Sequence, residues 1–237
     1  MGNPKNLILP CAGNSSRFET DIPKFLLENS KDSNLSMVCS SIKGLPYTQF
    51  DNVYIVVLES HCNLFNVIDK LTRDFYKLGI SIKIIKLKTP TKSSSETVYR
   101  CILEEKISGE IYIKDCDDYF EIDVLNPNEI SVVSLNDCGR IHASNKSYVK
   151  ISDQDIVTTI VEKNVISADF CCGLYSFLDV NKFIKSYEEL EDTQYGEIYI
   201  SHVIFNMILS DNIFKINRAS NFIDWGTQLD WDIYLNS

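Results

Sequence analysis

Three stretches carry residues whose types and spacing point to phosphate and cation chemistry. The first runs Pro10-Cys11-Ala12-Gly13-Asn14-Ser15-Ser16-Arg17-Phe18 and continues through Asp21-Ile22-Pro23-Lys24. A loop of small residues after a strand lets backbone N–H groups converge on a phosphate, and Arg17 and Lys24 add fixed positive charge. Taken alone the loop reads equally as a tight strand-to-helix turn; the arginine and the Pro-Lys pair close behind it favour a polyphosphate cradle. The second is Ile111-Tyr112-Ile113-Lys114-Asp115-Cys116-Asp117-Asp118-Tyr119-Phe120. Residues two apart on an extended chain project to the same side, so Asp115 and Asp117 are expected to face one site. Carboxylates grouped there suit an oxygen-ligated Mg²⁺ that bridges phosphates, although an isolated Asp-x-Asp also reads as a solvated acidic turn. The third is Ile223-Asp224-Trp225-Gly226-Thr227-Gln228-Leu229-Asp230-Trp231, near the C-terminus, where a capping turn with its tryptophans packed on the core is the simpler alternative.

Elements able to position these stretches are legible in the first half of the chain. Asn6–Leu9, Val53–Leu58, Ile80–Ile85 and Ile111–Ile113 are short runs rich in β-branched residues, and read as strands. Between them, His61–Leu78 and Glu96–Lys106 carry apolar residues near helical spacing. Strand–helix alternation predicts a mostly parallel sheet with right-handed crossovers, which binds ligands at the carboxyl ends of its strands. After Phe120 come shorter strands (130–135, 148–151, 156–161, 170–177), a turn at Asp137-Cys138-Gly139, and two helices over 179–190 and 197–209. The expected fold class is α/β: a single three-layer αβα domain over residues 1–237, with a mostly parallel, mixed central sheet. Residues 1–120 hold the strand–helix alternation, and 121–237 read as an acceptor-binding elaboration of the same domain, not a separate unit.

Composition narrows the partners. The chain has 237 residues and a formal charge of -10, from 33 acids against 23 bases, which argues against a nucleic acid or an anionic membrane as main partner. The first residues are too briefly apolar for a signal peptide and no stretch approaches a membrane span, so a cytoplasmic location is expected. Eight dispersed cysteines contain no C-x-x-C pair and there are three histidines, so small buried thiols are expected and a histidine-based zinc site is not.

The first stretch resembles the signature of nucleotidylyltransferases (pyrophosphorylases) with the glycosyltransferase A-type, Rossmann-like fold, A-A-G-x-G-[ST]-R followed by P-K. Ala12, Gly13, Ser16, Arg17, Pro23 and Lys24 keep the pattern. Cys11 replaces the first Ala, and Ser15 stands where the family has its second Gly, which adds a Cβ to the loop. The resemblance implies that Pro10, Cys11, Ala12, Gly13, Asn14, Ser15 and Ser16 cradle a nucleoside triphosphate. Arg17 would then stabilise the departing pyrophosphate, and Lys24 would neutralise charge at the reacting phosphorus. By the same resemblance Asp117 is a metal ligand, Asp115 faces the nucleotide, and the Asp-x-Gly-Thr segment makes Asp224 the second ligand. The implied cofactor is Mg²⁺, or Mn²⁺ in its place. Ser94, Ser95, Glu96 and Thr97 stand where relatives contact base or ribose, and equally make a helix N-cap with an acid in the first turn.

Further matches point to the acceptor. Val161-Glu162-Lys163-Asn164 resembles V-E-K-P, which implies that Lys163 holds the acceptor phosphate beside Glu162. Phe170–Phe177 resembles N-x-G-x-Y-x-F, in which the Gly, here Gly173, lets an acceptor approach beside Cys172 and Tyr175. Gly196-Glu197-Ile198-Tyr199-Ile200-Ser201-His202 resembles G-E-x-x-L-T-D and adds Glu197; Tyr199 and His202 read as readily as helix packing. Five residues separate Arg17 from Pro23, which resembles methylerythritol-phosphate cytidylyltransferases more than hexose-1-phosphate enzymes and favours CTP. With the C-terminal Asp-x-Gly-Thr, the combination resembles enzymes that activate phosphoglutamine, phosphocholine or polyol phosphates for capsule or surface polysaccharides. A hexose-1-phosphate nucleotidylyltransferase using UTP, dTTP or GTP is the runner-up. A retaining glycosyltransferase and a non-catalytic nucleotide-binding protein stay open, as does a homodimer.

Overall fold

The computed structural model describes residues 2–13, 18–193 and 196–237. Its strands are β1 (Lys5–Pro10), β2 (Glu28–Asn29), β3 (Leu35–Ser36), β4 (Asn52–Leu58), β5 (Lys83–Leu87), β6 (Glu110–Lys114), β7 (Asp118–Glu121), β8 (Glu129–Ser134), β9 (Ser147–Ile151), β10 (Val157–Glu162), β11 (Asp169–Phe177), β12 (Lys215–Arg218) and β13 (Ser220–Asp224). The helices are α1 (Met37–Ser41), α2 (Glu59–Leu64), α3 (Val67–Lys77), α4 (Ser94–Glu105), α5 (Val180–Asp192), α6 (Ile200–Leu209) and α7 (Gln228–Asn236).

The main sheet is mixed, with strand order β10-β9-β11-β6-β1-β4-β5, while β8 pairs with β11 and β12. Strands β6, β1, β4 and β5 are mutually parallel, and β11 joins β6 antiparallel. Both faces are covered, which is why the central strands read as continuous apolar runs. In β1, Leu7 and Leu9 pack toward α1 and α3 through Val38, Ile42, Leu71 and Phe75, while Ile8 packs toward α4, α5 and α6 through Val98, Phe183 and Val203. The three-layer α/β architecture expected from strand–helix alternation is the one observed.

Local departures have local causes. The helix expected over 61–78 is two helices, because Asn66 leaves helical geometry at ψ 57° and caps α3, and Leu64 at 75% exposed contributes nothing to a buried stripe. Strand β5 starts at Lys83 because residues 79–82 are used in leaving α3. Gly79 sits at φ +72°, and the N–H of Ile80 donates to the Phe75 carbonyl, a glycine-terminated helix exit.

A small antiparallel pair, β7 with β13, carries the C-terminal segment back to the middle of the chain. It is held by a third cluster of Phe18, Met37, Trp225 and Trp231, with Tyr119 and Tyr234 packed against it. Burying one such tryptophan stabilises by up to about 4–6 kcal/mol of transfer free energy, so the capping role of both tryptophans is real and fixes the position of Asp224. No helix among the described residues is long and apolar enough to cross a membrane.

Candidate active site

The strand ends β1 and β6 open onto a cleft made of two adjoining hollows. The larger, about 610 Å³, is lined by Pro10, Cys11 and Gly13 after β1, by Lys24, and by Ser94 and Thr97 at the start of α4. Asp115, Asp117, Glu162, Lys163 and Glu197 complete its wall. The smaller, about 140 Å³, takes in Asp224, Cys172, Gly173 and Tyr175. Ser94, Asp115, Asp117, Asn145, Glu162 and Tyr199 belong to both, so the hollows are one groove with a shared waist. Asn14, Ser15, Ser16 and Arg17 lie outside the described residues.

Two expected nucleotide contacts face elsewhere. Ser95 Oγ donates to the Ile198 carbonyl. Glu96 accepts from the Lys92 N–H at 2.7 Å and pairs with Arg100 at 2.5 Å, while its own N–H donates to the Ser93 hydroxyl. Glu96 therefore secures the α4 N-terminus with Ser93 as its cap, the capping alternative, while Ser95 ties α4 to the segment before α6. Ala12 is fully buried.

At the waist the carboxylates are arranged by a bend. The chain turns at Cys116 and Asp117, between β6 and β7, so simple strand alternation does not bring Asp115 and Asp117 to the same cleft. The bend is pinned by Lys114, whose side chain is 0% exposed and whose Nζ donates to Asp118 Oδ1 at 2.5 Å and to the Asp115 carbonyl at 2.7 Å. Gly173 completes the packing. At φ +94° it sits where L side chains are strained, and a Cβ there would lie 2.5 Å from Asp118 Oδ2 and 3.1 Å from Asp115 Oδ2. The close approach this glycine permits is therefore by two carboxylates of the protein.

Asp117 and Asp224 meet through β7–β13. Asp224 pairs with Asp118 in register, and the Trp225 N–H donates to the Asp117 carbonyl at 2.9 Å. Each carboxylate has a lysine: Lys24 Nζ lies 2.5 Å from Asp117 Oδ2, and Lys146 Nζ 2.7 Å from Asp224 Oδ2. Asp224 Oδ1 also accepts the Gly226 N–H at 3.0 Å. Burial, then the charge of Asp117, pushes the Asp115 carboxyl up to about 6. Burial pushes Asp118 up to about 7, with Lys114 pulling it back and Asp115 and Asp117 reinforcing it.

On the acceptor side, Glu162 accepts from the hydroxyls of Ser147 and Ser201. Tyr199 OH donates to Glu197 and accepts from Lys163 Nζ. The smaller hollow is closed by His142, Asn145, Thr227 and Asp230. The thiols do not supply a nucleophile: burial pushes Cys11, Cys171 and Cys172 up, for Cys11 with a hydrogen bond to Cys116 adding to it.

Among the described residues no three or more His, Cys, Asp and Glu side chains gather as a ready metal cage. The two-aspartate set still fits Mg²⁺, which is bound through one or two carboxylates plus substrate phosphates. Sequence reasoning missed Lys114, Asp118, Lys146 and Asp230. Lys114, Asp118 and Asp230 lie within the acidic and C-terminal stretches without a role of their own there, while Lys146 belongs to no motif.

No family model and no curated protein sequence matches the chain. Solved structures do. A nucleoside-diphosphate-sugar pyrophosphorylase from Vibrio cholerae RC9 superposes with a TM-score of 0.80 at 22% identity, covering 98% of this chain and 100% of that one. An inositol-1-phosphate CTP transferase from T. maritima gives 0.72 at 16% identity, covering 97% and 92%. A CTP:phosphocholine cytidylyltransferase from Streptococcus pneumoniae gives 0.73 at 15%, covering 99% and 98%. The chain has the fold of nucleotidylyltransferases over essentially its whole length.

Proposed function

We propose that this chain is a nucleotidylyltransferase that moves a nucleoside monophosphate, CMP from CTP in the favoured case, onto a small phosphorylated acceptor with release of pyrophosphate. The observation that carries the reading is the meeting of Asp117 and Asp224, each with its lysine, in one groove at the carboxyl ends of parallel strands. Residues 1–120 supply the nucleotide side and 121–237 most of the acceptor side.

The acceptor's phosphate oxygen attacks the α-phosphorus in line and pyrophosphate leaves. A phosphate is already ionised at neutral pH, so no protein nucleophile is required, in keeping with the raised thiols. Pro10, Cys11 and Gly13 form the described part of the phosphate cradle, and Ser94 and Thr97 face the nucleoside from α4. Lys24 neutralises charge at the reacting phosphorus and Arg17 at the leaving pyrophosphate. Asp117 and Asp224 would hold Mg²⁺ or Mn²⁺, which when bound supplies charge neutralisation at the phosphates. Asp115 orients the nucleotide side, while Glu162, Lys163, Cys172, Gly173, Tyr175 and Glu197 border the acceptor.

Support for CTP comes from the Arg17-to-Pro23 spacing and from the two CTP-using proteins of like fold. The acid-lined smaller hollow suits an acceptor tail bearing hydroxyls or positive charge, as phosphoglutamine, phosphocholine and polyol phosphates do. Cytoplasmic activation of a capsule or surface-polysaccharide precursor is the matching role. A hexose-1-phosphate enzyme is the second reading, favoured by the TM-score of 0.80 to the sugar pyrophosphorylase. A pyrophosphate-release screen of four triphosphates against phosphorylated small molecules decides. CTP with a phosphorylated amine or polyol should give turnover; UTP or dTTP with a hexose-1-phosphate would establish the second reading, and no release with any pair would remove transferase activity.

A further inference from the structure

The smaller hollow adjoins the shared waist where an acceptor's phosphate must meet the triphosphate, and its acidic lining is hostile to a phosphate there. Asp115, Asp117, Asp118, Glu162, Asp224 and Asp230 line it, and Lys146 is the one lysine or arginine on its wall among the described residues. A dianion brought there meets strong repulsion unless that cation turns toward it. Lys146 is instead paired with Asp224 at 2.7 Å, its side chain 17% exposed, and its charge also acts on Asp118 and Asp117. Its backbone is fixed, since the Lys163 N–H donates to the Lys146 carbonyl at 3.0 Å. The two lysines thus lie side by side at the open end of the β9–β10 pair, with Lys163 on the larger hollow and Lys146 on the smaller.

Resting on the transferase reading, we infer that Lys146 is an acceptor-phosphate ligand held in reserve: it and a divalent cation compete for Asp224, and the displaced ammonium binds the acceptor's phosphate. Both halves follow from charge. A carboxylate that accepts a divalent cation no longer needs a monovalent partner, and a largely buried ammonium that loses its carboxylate needs another anion. Lysine suits the exchange because its four-carbon stem turns while the main chain stays in place.

The test uses Mn²⁺ alone and then inorganic phosphate, neither of which needs an identified acceptor. Free Mn²⁺ is followed by electron paramagnetic resonance in wild type, Lys146→Gln, Lys146→Met and Lys146→Arg, with circular dichroism and melting as folding controls. Gln and Met remove the competitor, and should bind Mn²⁺ about tenfold tighter than wild type, equivalent to about 1.4 kcal/mol. At saturating Mn²⁺ the same variants should lose roughly tenfold or more in phosphate affinity, while Arg, which keeps the cation, stays within about threefold on both counts. Unchanged or weaker Mn²⁺ binding in both neutral variants overturns the exchange, and so does unchanged phosphate binding. Should neither neutral variant fold, wild type still decides: phosphate must tighten Mn²⁺ binding, and independence of the two overturns the proposal. A wild type that turns over triphosphates but shows none of these dependences leaves the transferase reading intact; one that shows them all and turns over nothing loses only that reading.

Discussion

The Trp225 N–H donates to the Asp117 carbonyl oxygen at 2.9 Å, and this bond ties the C-terminal Asp-x-Gly-Thr string to the acidic bend after β6. Asp224 lies one residue before the donor and Asp117 carries the acceptor, so the two carboxylates cannot separate without breaking the β7–β13 pair. The Trp225 ring, 1% exposed, makes that separation costly.

If both carboxylates act at the reacting phosphates, replacing either should hurt turnover far more than folding. Asp117→Asn and Asp224→Asn should each lower kcat/KM by roughly 100-fold or more, on the scale of losing one donor from a preorganised charge site. Pyrophosphate release measures the rate, and far-UV circular dichroism with melting measures the fold. Near-wild-type turnover in either variant removes that residue from the mechanism.

Gly173 is the residue least able to accept a side chain. Gly173→Ala places a Cβ against the Asp118 and Asp115 carboxylates at a positive φ, and should destabilise by about 2 kcal/mol or more. The same change shifts both acids, so activity should fall beyond what the remaining folded fraction explains. Urea unfolding alongside pyrophosphate release separates the two effects; a variant as stable as wild type would show that the packing is slack.

Asp118 and Asp115 predict an unusual slope of stability with pH. Their folded values, about 7 and about 6, lie above the ordinary 3.8, so between about pH 4 and 7 the folded chain binds more protons than the unfolded one. Their contribution to stability is complete below the ordinary value and is lost as pH rises through the folded ones. Asp118→Asn deletes the larger part of this term, so its urea midpoint should decline less from pH 4 to pH 7 than that of wild type. Parallel profiles would mean that Asp118 is ionised throughout.

Much of this site could be read from the chain, and what could not shares one physical origin. Strands such as β1 and β4 are locally encoded by β-branched runs, and the cradle residues follow directly from where β1 ends. Nothing beside Lys114 in the chain announces its burial, which depends on Asp118 and on the glycine opposite, on β11. Lys146 follows a short turn with no motif, and acquires meaning only when β13 delivers Asp224. Gly173 was legible as a point of close approach; which groups approach was not, because both come from the β6–β7 bend. The division of 61–78 into α2 and α3 was hidden by Leu64, whose apolar side chain fits the helical spacing yet points to solvent.

Thr227 tests whether the C-terminal helix serves the site as well as the fold. Its hydroxyl accepts the Asp230 N–H at 3.2 Å and donates to Asp230 Oδ2 at 2.5 Å, closing the first turn of α7 immediately after the Asp224–Gly226 bend. Thr227→Val keeps the shape and loses both bonds, which should cost about 1–2 kcal/mol in urea unfolding. Thr227→Ser should recover most of it. Because Asp230 lines the smaller hollow, freeing its carboxylate should raise KM for the acceptor several-fold, on the order of one lost hydrogen bond, while KM for the triphosphate stays put. A change confined to the triphosphate would place Asp230 on the wrong side of the groove, and equal changes in both would mean that α7 only holds the hairpin in place.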